Sequence, residues 1–478
     1  MMPALNSRYD QFRVFGQKVE LFLAKGPTYH YTYGRWRLRR WLNKTLGASD
    51  FPSDASLFSQ LDGSKPGLNQ VVKAIGEGQL DRAKASLTAY YQTRSEPFFF
   101  FNSLTDIERT VAQISPDERQ ATCQIADQVY QHTFTFRGEP PVQFGDKISW
   151  VHCPNNNIDW TWDLNRHAYF TALGRAYWYS QDERYADKFR ELLLDWLVAN
   201  PPQLDQLNWQ SVFEVAFRIK IWIWAYFYFR ANRAFDEDLC LGLLKGLLIH
   251  GHFLEKNIEY HTRNNHLLLE AKSLAMLGLL FPEFKSAHQW QARGLALLFQ
   301  EVRRQVCADG VHGERALHYH RVVAGELLEM LVLLENNHQS IPPDVFDRFE
   351  RMVEYELWVT KPNGLIPLLA DSALEDTHLR FSAARGGPLF LRRDGLRAVA
   401  PPPDEAIAWL LGAARLEDQS CQPDAEPACL ASRAFVEGGY YIMRSGTAAE
   451  ATYLAFDCGP FGYELEPYHG HADALSFE

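Results

Sequence analysis

The sequence predicts an α+β chain in which a large helical body comes first and a β domain begins near residue 432. Three observations lead there. From about 163 to 360, eight or more segments with apolar residues at helical spacing follow one another. Their junctions carry Pro, Gly and Asn, as at Asn200-Pro201-Pro202, Phe281-Pro282-Glu283 and Ile341-Pro342-Pro343. Beyond 432 the apolar segments shorten and alternate between glycine turns, as strands do. Short links between successive helices mean antiparallel hairpins. No fixed-length repeat recurs, so a TPR- or HEAT-type solenoid is unsupported, and a closed ring of helical pairs, an α/α toroid, accounts equally well for the irregular spacing.

Taken in order, residues 1–140 read as a helical region with one short strand segment. The basic aromatic stretch YTYGRWRLRRWLNK (31–44) fits an amphipathic capping helix better than a membrane- or partner-binding one. QLDRAKASLTAYYQTR (79–94) has helical spacing, and HTFTFRG (132–138) alternates as a strand would. Residues 141–385 form the helical toroid. Its segment 212–229, VFEVAFRIKIWIWAYFYF, is apolar on nearly every side, but Glu214, Arg218 and Lys220 interrupt it. Its unbroken apolar run is far shorter than the ~20 residues a membrane span needs, so it is expected as a buried helix of a soluble body. Residues 386–431, rich in Pro, Gly and Ala, read as a linker. The β domain then occupies 432–478 and stops in what reads as the middle of a strand.

Composition narrows the partners. The formal charge of −11, from 48 Lys and Arg against 59 Asp and Glu, removes the long-range attraction that nucleic acid requires. It leaves room for an acidic ligand in a locally basic cleft. Seven cysteines show no CxxC spacing and are odd in number, so neither a zinc ribbon nor a disulfide framework is indicated. The first residues lack the apolar core of a secretory signal, which predicts a cytoplasmic protein, or a periplasmic one if the start is misassigned.

Four constellations could carry chemistry. Arg263-Asn264-Asn265-His266 stands at a helix start, where Asn is a favoured cap, and Glu270 lies one turn beyond His266, within reach of its imidazole. DGVHGERALHYHRV (309–322) brings together His312, Glu314, His318, Tyr319 and His320; it is not an HExxH signature and suits the cationic rim of a cleft better than a metal site. In Tyr468-His469-Gly470-His471, two imidazoles share one face of a strand, as a metal or a substrate could use them. Asn155, Asn156, Asn157, Trp160 and Trp162, with Asn208, Trp209 and Gln210, offer the flat faces and amides that suit sugar rings. Together they describe a cleft for acidic polysaccharide. Asn, His and Tyr, rather than a carboxylate pair, suit β-elimination at a uronic acid. An amide neutralises the carboxylate as enolate charge develops, and His or Tyr moves the protons.

NNHLLLEAKSLAMLGLLFPEF, DGVHGERALHYHRVVAGELLEML and FDCGPFGYELEPYHGHADALSFE resemble, in that order, segments of the bacterial heparinase II/III family, which is similar in architecture to oligoalginate lyases. The resemblance covers roughly residues 140–478 and is most specific at HGHADALSF. It implies an N-terminal α/α toroid, incomplete here, followed by the start of an antiparallel β-sandwich, with a lyase site between them. It implies Asn265 as carboxylate neutraliser, His266 as the group acting on the C5 proton of one epimer, and Tyr319 as base or acid. His469 would help neutralise or abstract, and His471 would be the first ligand of a zinc ion whose other ligands lie beyond Glu478. Asn208, Trp209, Arg263, Glu270, Glu314 and Asp371 are expected at the substrate or orienting the site. Heparan-like glycosaminoglycans, alginate and exopolysaccharides are the expected substrate classes. Two alternatives stand beside this reading. One is a glycoside hydrolase, with a carboxyl pair drawn from Asp159, Asp163, Glu214, Glu314 and Asp371; the other is a non-catalytic acidic-glycan-binding protein of exopolysaccharide metabolism.

Overall fold

The computed structural model describes residues 29–38, 51–203, 206–372, 381–418, 430–446, 448 and 450–460. After helices over residues 29–38, Asp54–Ser59 and Asn69–Gly76 come α1 (Leu80–Thr93), α2 (Leu104–Ala112) and α3 (Pro116–Tyr130); β1 (Thr133–Phe134) and β2 (Val142–Gln143) pair antiparallel after them. Then follow α4 (Ile158–Arg166), α5 (Tyr169–Ser180), α6 (Arg184–Ala199), α7 (Val212–Phe229), α8 (Glu237–Asn257), α9 (Asn265–Leu280), α10 (Ala287–Gln305), α11 (Leu317–Asn336) and α12 (Pro343–Val359). Helices α13 (Ala383–Phe390) and α14 (Glu405–Leu416) precede an antiparallel sheet of β3 (Arg433–Phe435), β4 (Tyr440–Arg444) and β5 (Tyr453–Asp457).

Helices α5–α12 form four hairpins in two rows. Of the inner row, α5, α7, α9 and α11, the last three are buried nearly all round, whereas the outer partners α6, α10 and α12 bury one face. Three inner helices run in the same direction, as contacts at two depths establish. Near their starts, the rings of Phe213 and His266 lie 4.3 Å apart, and the Asn265 N–H in the first turn of α9 donates at 2.7 Å to Glu314, three residues before α11. Near their middles, Lys220 of α7 and Lys272 of α9 share Glu326 and Glu329 of α11. The N-termini of α7, α9 and α11 therefore open on one end of the body. This pairing also explains the charged residues of the 212–229 segment: Glu214 is held by Arg166, Arg218 by the His250 ring, and Lys220 by the two glutamates. No helix among the described residues is long and apolar enough to cross a membrane.

Three sequence expectations are corrected. The supposed linker 386–431 contributes helices to the body: Gly386 and Gly387 sit where a Cβ would strike Ile407 and Val353, so its glycine and alanine content marks close helix packing. Its α14 reaches back to α5, where Glu405 accepts from Arg175 (2.9 Å) and Tyr179 (2.5 Å) and Trp409 donates to the Tyr179 hydroxyl. The region before 140 is likewise continuous with the core, since Arg94 and Glu283 form a buried pair at 2.8 Å. Within HTFTFRG only Thr133–Phe134 is paired strand; His132 and Arg137 adopt positive φ and end it.

The β3–β5 sheet docks on α12 through Tyr355, whose ring meets Phe435 at 4.9 Å and Tyr440 at 5.6 Å. It also grips the loop before α11. Arg315 donates to the Gly438 carbonyl, Gly438 donates its N–H to Asp309, and the Tyr440 hydroxyl donates to the Arg315 carbonyl.

Candidate active site

Asn264 caps α9 by accepting the His266 N–H at 3.1 Å, as the sequence suggested. The cap projects Asn265 and His266 from the first turn. Asn265 is then fixed by Glu314: its backbone N–H donates at 2.7 Å, and its Nδ2 lies 2.9 and 3.0 Å from the two carboxylate oxygens. Both side chains are buried. Since a carboxylate only accepts, the contact settles which end of the amide is Nδ2. The near-equal distances let one N–H serve both oxygens and leave the other as a donor.

The backbone on both sides of this contact is strained. Arg263 and Arg315 adopt left-handed φ of 50° and 54°. Neighbouring groups hold them there: Arg304 donates to the Arg263 carbonyl at 2.8 Å, Gln305 donates to the Asn264 carbonyl at 3.0 Å, and His312 in turn meets Gln305 at 3.0 Å. Sequence reasoning missed Arg304, Gln305 and Glu301, which lie at the end of α10, with no motif of their own.

His266 projects outward, its side chain 42% exposed, with Phe213 against its ring. Its acidic partner is Glu259, 3.8 Å from Nδ1. The expected partner, Glu270, is fully buried and accepts the Glu259 backbone N–H at 2.8 Å, so it orients the carboxylate that serves His266. Burial works against the imidazolium, but Glu259, aided by Glu314 and Glu214, overcomes it and raises the His266 pKa. Burial likewise opposes the Glu259 carboxylate, and the bond to His266 holds it below its usual range.

Tyr319 lies in the first turn of α11, half-buried, with the His318 ring 5.1 Å away. Ser372 accepts the Leu317 N–H at 3.1 Å and secures that turn; the neighbouring Asp371 is exposed. Arg263 is half-buried, and its side chain has no hydrogen-bond or ion-pair partner among the described residues. His469 and His471 lie outside the described residues.

Several proposed sugar contacts belong instead to the core. Trp209 is fully buried against His250 and Phe253, with its indole N–H on the Asn200 carbonyl. Asn208 is 2% exposed and donates to Asn200 at 2.6 Å. The Trp209 ring and the Asn208 backbone carbonyl instead enclose the buried Arg218. Trp160 is also core, while Asn157 caps α4 and Asn155 bonds Glu139. The three histidines of 312–320 do not converge: His320 is buried on the Met352 carbonyl, and burial pushes its pKa down to about 3. Among the described residues no three His, Cys, Asp or Glu side chains gather as a metal site.

Three of the five carboxylates from which a hydrolase pair could be drawn are committed to partners. Glu214 takes two bonds from Arg166 (2.6 and 2.8 Å), Asp163 pairs with Arg137 and Arg166, and Glu314 clamps Asn265.

The family model for the heparinase II/III N-terminus matches residues 57–390, and that for the heparinase II/III-like C-terminal region matches 429–478. A heparin-sulfate lyase of Bacteroides stercoris is 25% identical over 446 residues, covering 88% of this chain and 62% of its own length. Another, of Pedobacter heparinus, is 26% identical over 432 residues, covering 88% and 61%. The chain thus spans about three-fifths of these relatives. A crystal structure of heparinase III shares the fold with TM-score 0.71 at 22% identity, over 89% of this chain and 65% of that one. That of heparan sulfate lyase from Pedobacter heparinus gives 0.60 at 24%, over 89% and 63%. The chain belongs to the heparinase II/III family.

Proposed function

We propose that this protein is a polysaccharide lyase that cleaves uronic-acid-containing acidic polysaccharide or oligosaccharide by β-elimination. The observation that carries the reading is the Glu314 clamp on Asn265, which presents an oriented amide beside the Glu259–His266 pair. The relatives named as heparin-sulfate lyases support a glycosaminoglycan of heparan type as substrate.

In this proposal the free N–H of Asn265 meets the uronate carboxylate and stabilises the charge that grows on it as C5 loses its proton. His266, made more basic by Glu259, takes that proton. The C5–H electron pair becomes the C4–C5 double bond as the C4–O bond breaks, and the Tyr319 hydroxyl protonates the departing oxygen. Arg263 and Asp371 would contact the sugar, and His469 would assist at the carboxylate. Zinc would be held through His471 with ligands from elsewhere. The two rows of hairpins and the return contact from Glu405 to Arg175 support an α/α toroid, and the three antiparallel strands support the start of a β-sandwich. The proposed division places the toroid in 141–385 together with the packed helices after it, and the sandwich from 432.

The test is a panel of uronate polymers followed by ultraviolet absorbance for the unsaturated sugar that elimination alone produces. Absorbance rising with new chain ends is expected. New reducing ends without absorbance would replace this reading with hydrolysis; neither signal would replace it with binding alone.

A further inference from the structure

The described part of the basic aromatic stretch, residues 31–38, packs against the segment that leads into α9. The helix over residues 29–38 carries Tyr29, Tyr33 and Trp36 on one face. Their rings surround His261 at 5.8, 5.1 and 4.8 Å, and the Trp36 indole N–H donates to the Asn257 carbonyl at 2.9 Å. The helix is thereby pinned to the segment that leads into α9.

A cavity of about 280 Å³ lies at this junction, lined by Thr32, Arg35, Trp36, Ile258, Tyr260 and Arg293. That is about the low end of ligand pockets, ~300 Å³, and suits one or two sugar rings. Its chemistry is cationic and aromatic. Arg293 donates twice to the Tyr260 hydroxyl, at 3.2 and 2.7 Å, and stands 3.7 Å from Glu255. Arg35 bonds only the Tyr31 hydroxyl, at 3.2 Å, and has no acidic partner among the described residues. Guanidinium groups bind carboxylate and sulfate oxygens in pairs, and aromatic faces accept the C–H side of a sugar. Tyr260 precedes Asn265 by five residues, which limits their separation to ~18 Å.

We propose that this cavity is a distal subsite for an anionic sugar unit of the chain whose reacting unit lies at Asn265. The proposal rests on the lyase reading for its substrate class. Arg35 and Arg293 hold the acid groups, while Trp36 and Tyr260 support the ring. Arg35 is exposed, so its replacement leaves the helix contacts with His261 in place.

The experiment compares wild type with Arg35→Ala and Arg35→Lys on uronate tetrasaccharides and octasaccharides, each in sulfated and unsulfated form. The octasaccharide-to-tetrasaccharide ratio of kcat/KM should fall ~10-fold in Arg35→Ala, as expected for one charge-assisted bond, with part of it restored in Arg35→Lys. A larger fall for sulfated chains identifies sulfate as the group bound, and an equal fall identifies the carboxylate. A ratio the same as wild type would overturn the subsite. If wild type forms no unsaturated product, the lyase reading fails by itself, and calorimetric titration with the octasaccharide decides the subsite: weaker binding by Arg35→Ala supports it, whereas equal affinity or no binding by either protein overturns it.

Discussion

Glu314 holds Asn265 by both backbone and side chain, with three donor–acceptor distances between 2.7 and 3.0 Å. The carboxylate comes from the loop before α11 and the amide from the first turn of α9, so the contact fixes two inner helix starts against each other. Glu314→Gln would turn an amide N–H toward the Asn265 donors. Loss of that orientation should lower kcat by ~10²-fold, about the effect of removing one oxyanion donor. It should also destabilise the fold by about 1–3 kcal/mol through an unsatisfied buried group. Steady-state kinetics and thermal unfolding check both.

Glu259 sets the His266 titration. Its removal in Glu259→Gln leaves burial as the main influence, so the imidazole pKa should fall. If neutral His266 is the base, the acid limb of kcat/KM moves to lower pH in the variant. A raised His pKa stabilises the fold below the unfolded value, and the gain is lost as pH rises through the folded value. The variant should lose that acid-side stabilisation. Histidine NMR titration and the pH–rate profile read the shift; an unmoved imidazole would detach Glu259 from this role.

The Lys220, Lys272, Glu326 and Glu329 group lies at mid-depth between α7, α9 and α11. Burial opposes the Glu326 carboxylate, but Lys220 and Lys272 outweigh it and depress its pKa to about 2. This stabilisation is present above the unfolded value of ~4.3 and is lost as pH falls through about 2. Lys272→Met leaves two buried carboxylates sharing one ammonium and should cost about 3–5 kcal/mol. Its acid-unfolding midpoint should rise, as circular dichroism against pH would record.

Gly310 closes the turn before Glu314, its N–H donating to the Cys307 carbonyl at 3.0 Å. Its φ is +93°, and an added Cβ would lie 2.2 Å from the Arg351 carbonyl oxygen. Gly310→Ala should therefore destabilise by about 2–4 kcal/mol, combining a left-handed alanine with overpacking against backbone. Denaturant unfolding measures it; a neutral result would show that the loop re-forms without the contact.

Much of this was legible in the residues. Helical spacing identified the hairpins, the Glu214, Arg218 and Lys220 interruptions identified 212–229 as a buried helix, and Asn264 was readable as a cap. Glycine turns located the sheet near 432. Tertiary relationships were not legible. Glu270 has the right spacing to meet His266, yet the helix buries it while exposing His266, and Glu259 arrives from the preceding segment, where no periodicity points to it. Trp209 and Asn208 have sugar-binding chemistry in isolation, but only packing reveals that they enclose Arg218. Gly386 and Gly387 looked like linker residues because composition does not distinguish freedom from close approach.

The central claim is elimination carried by Asn265 and Tyr319. Its most direct measurement is the initial rate of ultraviolet absorbance on a heparan-type polymer for wild type, Asn265→Ala and Tyr319→Phe, with melting temperatures taken alongside. Wild type should generate the absorbance, and each variant should lose it by ~10²-fold or more while Tyr319→Phe melts close to wild type. Unchanged rates in folded variants, or chain cleavage by wild type without absorbance, would contradict the account.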